Sequence, residues 1–141
     1  MNFIKTIETE IIFDFRKELY KSFVTPLDSM WQDLYIASSQ LYLIQKNNNY
    51  IGYCCIDTND SLLQLFVNTE NKFLAKSVIK ELIKTKHIVS ASLSSIEPIL
   101  FNTCLFHSKS MKANTFCYEH TLIISNNEEP LNLVLASELN A

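Results

Sequence analysis

The chain has almost no glycine. Gly52 is the only one in 141 residues, where average usage would give roughly ten. That scarcity excludes the glycine-rich loops through which backbone usually approaches a phosphate. It also leaves left-handed turns to asparagine and aspartate. Asn47, Asn48, Asn49, Asn59, Asn68 and Asn71 stand at or near positions where turns are needed.

Other absences narrow the field further. No Lys/Arg cluster reaches five residues and the formal net charge is −3, so no nucleic-acid or anionic-membrane footprint is present. No apolar segment approaches the ~18 residues of a membrane span. The opening MNFIKTIETE carries charge and lacks the apolar run of a secretory leader. Cys54, Cys55, Cys104 and Cys117 form no C-x-x-C pair, and the histidines share no ligand spacing with them. No metal site is expected. The cysteines read as free thiols in a reducing cytoplasm, with Cys54 and Cys55 on opposite faces of a strand.

What is present is globular. Hydrophobic residues make up 48% and charged residues 19%, enough to bury a core in one domain. Residues 3–7 read as a first strand. Ile11, Ile12, Phe15, Leu19 and Phe23 recur near a 3.6 period and predict a helix over 8–23. Leu27, Met30, Trp31, Leu34 and Tyr35 form the stripe of a second helix. Thr25 before Pro26 is its expected N-cap. Residues 40–45, 50–56 and 62–67 then read as strands joined by short polar turns, an antiparallel meander. The middle one is apolar on both faces and so central.

A helix is predicted over 73–84, with Leu74, Val78, Leu82 and Ile83 inward. A strand over 87–93 follows, parallel to 62–67 because a helix joins the two. Pro98 opens a helix to about Phe106, with Ser95 as an expected N-cap. Residues 115–124 alternate like a further strand, 126–129 are a linker, and 130–141 are an apolar tail. The expected organisation is one domain over 1–125. The fold class is α/β (α+β), with a mixed, mostly antiparallel sheet and helices on both faces. The tail is compatible with an exchanged strand in a homodimer or the start of a second domain.

The stretch SLLQLFVNTENKFLAKSVIKELI (61–83) is a strand, a polar turn and a helix, the frame that holds a phosphate on a helix N-terminus. Three local patterns join it: Gln40-Leu-Tyr-Leu-Ile with Tyr50-Ile51-Gly52-Tyr53, Leu65-Phe66-Val67, and Lys80-Glu81-Leu82-Ile83. With the element order, they make residues 1–124 resemble the GNAT acyltransferase superfamily. The resemblance implies a bulged fourth strand whose backbone, at Leu65, Phe66 and Val67, pairs with the pantetheine arm of acetyl-CoA.

It also implies a pyrophosphate turn on Glu70, Asn71, Lys72, Phe73, Leu74 and Ala75, with Lys76 beyond it. Here Phe73 stands where the family has a glycine and Glu70 where it has Gln or Arg. Ala75 fits the last position, and Gly52 is explained by close packing. The backbone amides of Lys72 to Ala75 and the charges of Lys72 and Lys76 are what remain to hold an anion.

The activity implied is transfer of acetyl from acetyl-CoA to a small-molecule or peptide amine. Direct attack needs a base, and often an acid for the departing thiolate. The family's base is frequently a glutamate on the fourth strand, but Gln64 stands there, so the base is unassigned. Its acid is frequently a tyrosine in the last helix, but 98–110 has none. Cys104 is the remaining proton donor, although among Phe101, Leu105 and Phe106 it also reads as a core thiol. His107 reads as a helix-end residue. Trp31, Tyr35 and Gln64 lie where the family lines its acceptor side, and Trp31 reads equally as core. A catalytically inactive binding module on the same fold is the alternative.

Overall fold

The computed structural model describes residues 1–113, and Met1–Met111 form one compact unit. The expectations placed on 115–141, including the last strand, the linker and the exchanged tail, lie outside the described residues, as does Cys117.

Five strands form one sheet in the order β1-β2-β3-β4-β5. They are β1 (Asn2–Thr6), β2 (Gln40–Lys46), β3 (Asn49–Ile56), β4 (Ser61–Val67) and β5 (Ser90–Ala91). The first four pair antiparallel in sequence order, and β5 joins β4 parallel. The meander follows from its turns. Asn47 and Asn48 both take positive φ, 50° and 63°, the two-residue hairpin geometry that matches strand twist. At the next turn Asp57 Oδ1 accepts from the backbone N–H of Asn59 and Ser61 at 2.8 and 2.9 Å, and Asp60 takes the left-handed position at φ 57°.

Helices cover both faces. On one, α1 (Glu10–Lys21) and a π-helical segment (Trp31–Ile36) bury Ile12, Leu19 and Ile36 against Leu43, Tyr53, Cys55, Leu63 and Phe66. On the other, α2 (Ala75–Lys86) and α3 (Pro98–His107) bring Val78, Ile79, Leu82 and Leu100 onto Ile44, Cys54, Leu62, Leu65 and Val67. Cys54 and Cys55 thus serve opposite cores, as strand alternation requires. Thr9 caps α1, its hydroxyl accepting from Ile12 N–H at 3.4 Å.

Gly52 is explained by contact. A Cβ there would overlap the Phe66 carbonyl oxygen and lie 2.9 Å from the Phe66 carbonyl carbon and 3.0 Å from Val67 Cα. Only a residue without Cβ lets β3 approach β4 this closely.

Several local expectations are corrected. The second helix does not start at Thr25; Asp28 Oδ1 accepts from Trp31 N–H at 2.9 Å and is the cap in fact. Its middle is π-helical, with i→i+5 bonding. That widens the turn, so Ile36 is buried and half-buried Trp31 borders the core, while Leu34 and Tyr35 face solvent. The α-helix after β4 begins at Ala75, not Phe73, because Thr69–Leu74 is a 3₁₀ segment. Its inward face is Ala75, Val78, Ile79 and Leu82, with Ile83 exposed. The fifth strand is two residues long rather than seven. The α3 cap is Glu97, not Ser95, with Pro98 at the first helical position.

Candidate functional site

The sheet opens between β4 and β5. Parallel pairing covers only Ser61↔Ser90 and Leu62↔Ala91, and ends with Ser92 N–H donating to Leu62 O at 2.9 Å. The next residue is the reason. Cys55 pairs with Gln64 and Ile56 with Leu62, so Leu63 has no residue opposite and β4 carries a bulge there. A bulge bends its strand and terminates pairing. It also places consecutive side chains on one face: Leu63 packs in the Tyr53 core and Gln64 bonds Tyr53.

Beyond the bulge the edge of β4 is uncovered by β5. Asn68 N–H donates to Ile51 O at 2.8 Å. Counting back by twos, Phe66 and Gln64 exchange bonds with β3. The backbone N–H and C=O of Leu65 and Val67 therefore turn to the open edge, while their side chains sit in the α2–α3 core. Phe66 faces the other core, with ring centroids 5.4 Å from Phe15 and 6.1 Å from Tyr53.

The turn after β4 is tighter than a helix N-terminus. Asn71 N–H is bonded to Asn68 O at 3.0 Å and Ala75 N–H to Lys72 O. These i→i+3 bonds consume donors that an α-helix would leave free. In a 3₁₀ segment the unspent amides fall at its start, Thr69 and Glu70. Phe73 is 77% exposed and does not fill the space its bulk suggested. Leu74 is half-buried against the α2–α3 core. Lys72 is exposed, whereas Lys76 Nζ lies 4.1 Å over the Phe106 ring. Two carboxylates stand nearby: Glu70 in the segment, and Glu18, whose Oε1 accepts from Thr69 Oγ1 at 3.0 Å. A cleft of about 530 Å³ adjoins this turn, lined by residues that include Phe15, Tyr50, Asn68, Glu70 and Asn71.

The α1 side of the opening is polar inside. Gln64 is fully buried, and its Oε1 accepts from Tyr53 OH at 2.6 Å. Its Nε2 has no partner among the described residues. Tyr20 OH lies beside the Gln64 amide but not in hydrogen-bonding geometry, and it too is unpartnered. The Arg16 guanidinium sits 5.7 Å from the Tyr53 ring centroid and pairs with Glu8. Burial pushes both tyrosines above the usual phenol range.

Trp31 and Tyr35 stack on each other, centroids 5.1 Å apart, at the edge of this core. Cys104 is half-buried on α3, and burial raises its thiol to about 11. It is therefore a weaker acid than an ordinary cysteine, near 8.5. Among the described residues His107 Nε2 is buried without a partner, and its ring meets Phe106 edge-on.

Sequence reasoning missed one residue altogether. Glu97 is 2% exposed, and neither carboxylate oxygen has a partner among the described residues. Desolvation alone raises its pKa from 4.5 to about 8. A charge on it is felt by Tyr20 on α1, Cys55 on β3 and Cys104 on α3, each pushed upward. A signal was available: an acid among Ile96, Ile99, Leu100 and Phe101, before a helix whose first turn is apolar, has little water to face.

Among the described residues, no helix is long and apolar enough to cross a membrane. None of their His, Cys, Asp and Glu residues group to hold a metal ion.

A sheet splayed beyond a bulged fourth strand, with helices on both faces, defines an acetyltransferase-type fold, and comparison with known proteins agrees. Residues 8–121 match the family described as acetyltransferase (GNAT) domain; the chain belongs to that family. A solved structure, an acetyltransferase from the GNAT family of Colwellia psychrerythraea, is similar over 75% of this chain with TM-score 0.66 and 20% identity. The chain spans 41% of that protein's length. A second solved structure, a probable acetyltransferase, aligns over 89% of this chain and all of its own, with 16% identity and TM-score 0.39. No curated protein matches.

Proposed function

We propose that the protein transfers an acetyl group from acetyl-CoA to an amine by direct attack. The observation that carries the reading is the open β4 edge, where Leu65 and Val67 present backbone donors and acceptors that β5 does not take. An extended amide-bearing arm can add to such an edge as a further strand does, with Phe66 between them anchoring β4 in the core. The residues present fit pantetheine in that sense. Bound there, acetyl-CoA supplies an activated thioester carbonyl.

The chain's own residues set the rest. The Thr69 and Glu70 amides and the exposed Lys72 face the diphosphate end, with Asn71, Phe73, Leu74, Ala75 and Lys76 forming the frame behind them. Gln64 cannot take a proton, but its unpaired Nε2 can donate to an oxygen. Trp31 and Tyr35 border the acceptor side. A Cys104 thiol near 11 would release a proton to the departing sulfur only reluctantly.

Calorimetry tests the reading, with micromolar to sub-millimolar binding of acetyl-CoA expected. No heat at millimolar acetyl-CoA would sink it. One observation favours a second reading, a non-catalytic binding module: the 3₁₀ turn spends its amides internally and is flanked by Glu18 and Glu70. Under that reading the purified protein produces no acetylated amine.

A further inference from the structure

We propose that the cleft between the β2–β3 hairpin and the end of β4 is a binding site for an adenine nucleotide. The base stacks on Tyr50, Asn68 and Asn71 read its edge, and Lys46 meets its phosphate.

The cavity of about 530 Å³ falls within the roughly 300–1,000 Å³ of small-ligand sites. The hairpin supplies Lys46 and Tyr50, the turn after β4 supplies Asn68, Glu70 and Asn71, and α1 supplies Phe15. The cleft lies on the β3 side of β4, whereas the open edge lies on the β5 side.

A second bulge aims the aromatic ring. Ile44 pairs with Gly52 and Gln45 with Tyr50, so Ile51 has no residue opposite on β2. At a bulge of this kind consecutive side chains share a face. Ile51 packs with Ile44 and Cys54 in the α2–α3 core. Alternation then puts Tyr50 on the α1 face, where it lines the cleft with Phe15. Phe15 is held from behind by Phe66, ring centroids 5.4 Å apart. Tyr50 keeps 38% of its surface exposed, and an exposed aromatic face is a platform for a planar base.

The two asparagines are fixed to each other. Asn71 Nδ2 donates to Asn68 Oδ1 at 2.8 Å, and Asn71 N–H donates to Asn68 O at 3.0 Å. That leaves Asn68 Nδ2 as a donor and Asn71 Oδ1 as an acceptor, both without a side-chain partner among the described residues. Turning both amides over would again leave one donor and one acceptor. Adenine presents the complement, an N6 donor beside an N7 acceptor, whereas guanine shows two acceptors on the same edge.

Charge sets the number of phosphates. Arg16–Glu8 is the only ion pair among the described residues, so the half-buried Lys46 brings an unpaired ammonium to the hairpin wall. Glu70, on the wall after β4, repels a second phosphate and can accept from a ribose hydroxyl. Two sources carry this chemistry: a free adenosine monophosphate, and the adenosine 3′-phosphate end of acetyl-CoA. Only the second rests on the acetyl-transfer reading.

The test is calorimetry on the full chain with AMP, GMP, adenosine and acetyl-CoA, for the wild type, Tyr50→Ala and Lys46→Gln. AMP binds the wild type about tenfold or more tighter than GMP, and tighter than adenosine. Tyr50→Ala weakens AMP about tenfold or more, and Lys46→Gln lowers AMP to the level of adenosine. Should Tyr50→Ala fail to fold, Lys46→Gln and the AMP–GMP comparison decide the matter. Saturating acetyl-CoA distinguishes the sources. AMP that still binds is a free nucleotide in its own site. The adenosine end of the cofactor is identified instead when Lys46→Gln weakens acetyl-CoA but not its dephospho form, whether or not AMP binds alone. GMP or adenosine binding as tightly as AMP overturns the proposal, as does AMP affinity unchanged in the variants. So does an absence of AMP binding with Lys46→Gln treating acetyl-CoA as the wild type does. AMP binding without acetyl-CoA binding refutes the acetyl-transfer reading alone.

Discussion

Replacing Glu97 by Gln should change how stability depends on pH, with no ligand present. The folded carboxyl holds its proton up to about pH 8, whereas the free side chain loses it near 4.5. Between those values the folded state binds more protons than the unfolded one, so stability falls as pH rises. The loss starts near pH 4.5 and is complete above about 8. At about 1.4 kcal/mol per pH unit, the span from 4.5 to about 8 sets a ceiling of about 5 kcal/mol. The positive end of α3 favours the carboxylate and works against the shift, by about 0.3–2 kcal/mol, so about 3 kcal/mol is the working figure. The assay is urea unfolding of both proteins from pH 5 to pH 9. The two should be nearly equal at pH 5, where each side chain is neutral, and Glu97→Gln should gain steadily on the wild type towards pH 9. Taking the difference removes every other titrating group. Parallel curves across that range would show that Glu97 ionises normally in the fold, and the reasoning from its burial would fail.

Other outcomes follow from the same geometry. Gly52→Ala forces β3 away from the Phe66 carbonyl and should cost about 3 kcal/mol or more, beyond ordinary core overpacking; thermal unfolding and acetyl-CoA calorimetry read the damage to β4. Tyr53→Phe leaves the buried Gln64 amide without its partner and should cost about 1–3 kcal/mol in urea unfolding. Phe73→Ala removes an exposed ring, so stability should stay within about 0.5 kcal/mol and acetyl-CoA affinity should hold to within about threefold by calorimetry. His87 ends α2 at φ 55°, a conformation glycine adopts without strain. His87→Gly should therefore stabilise the fold by about 0.5–1 kcal/mol, read as a higher melting temperature.

The sheet was legible because strand alternation and turn chemistry are local. The Asn47–Asn48 hairpin, the doubly buried β3 and the parallel β5 all followed from residues within a short window. What was not legible depended on hydrogen-bond phase or on distant neighbours. The stripe from Leu27 to Tyr35 obeys a 3.6 period, yet i→i+5 bonding turned Leu34 and Tyr35 outward and drew Ile36 in. The 3₁₀ segment after Asn68 looked like the first turn of α2, and the two differ only in which carbonyl each amide chooses. The seven-residue expectation for β5 failed because its partner bends away after Leu62. Glu97 escaped notice because a glutamate before a proline reads as a surface cap. Its burial is set by the packing of the whole fold around the start of α3, which the letters beside it do not show.

The bulge at Leu63 also bears on how such a site can be found and lost. The gap between β4 and β5 is made by one surplus residue in the count of a strand, with no loop, motif or unusual side chain to mark it. Nothing in the letters Leu62-Leu63-Gln64 distinguishes an open sheet from a closed one. Side chains around the gap can change while the opening persists, because the register of β3 against β4 holds it. Insertions and deletions, rather than substitutions, are the changes to which it is most exposed.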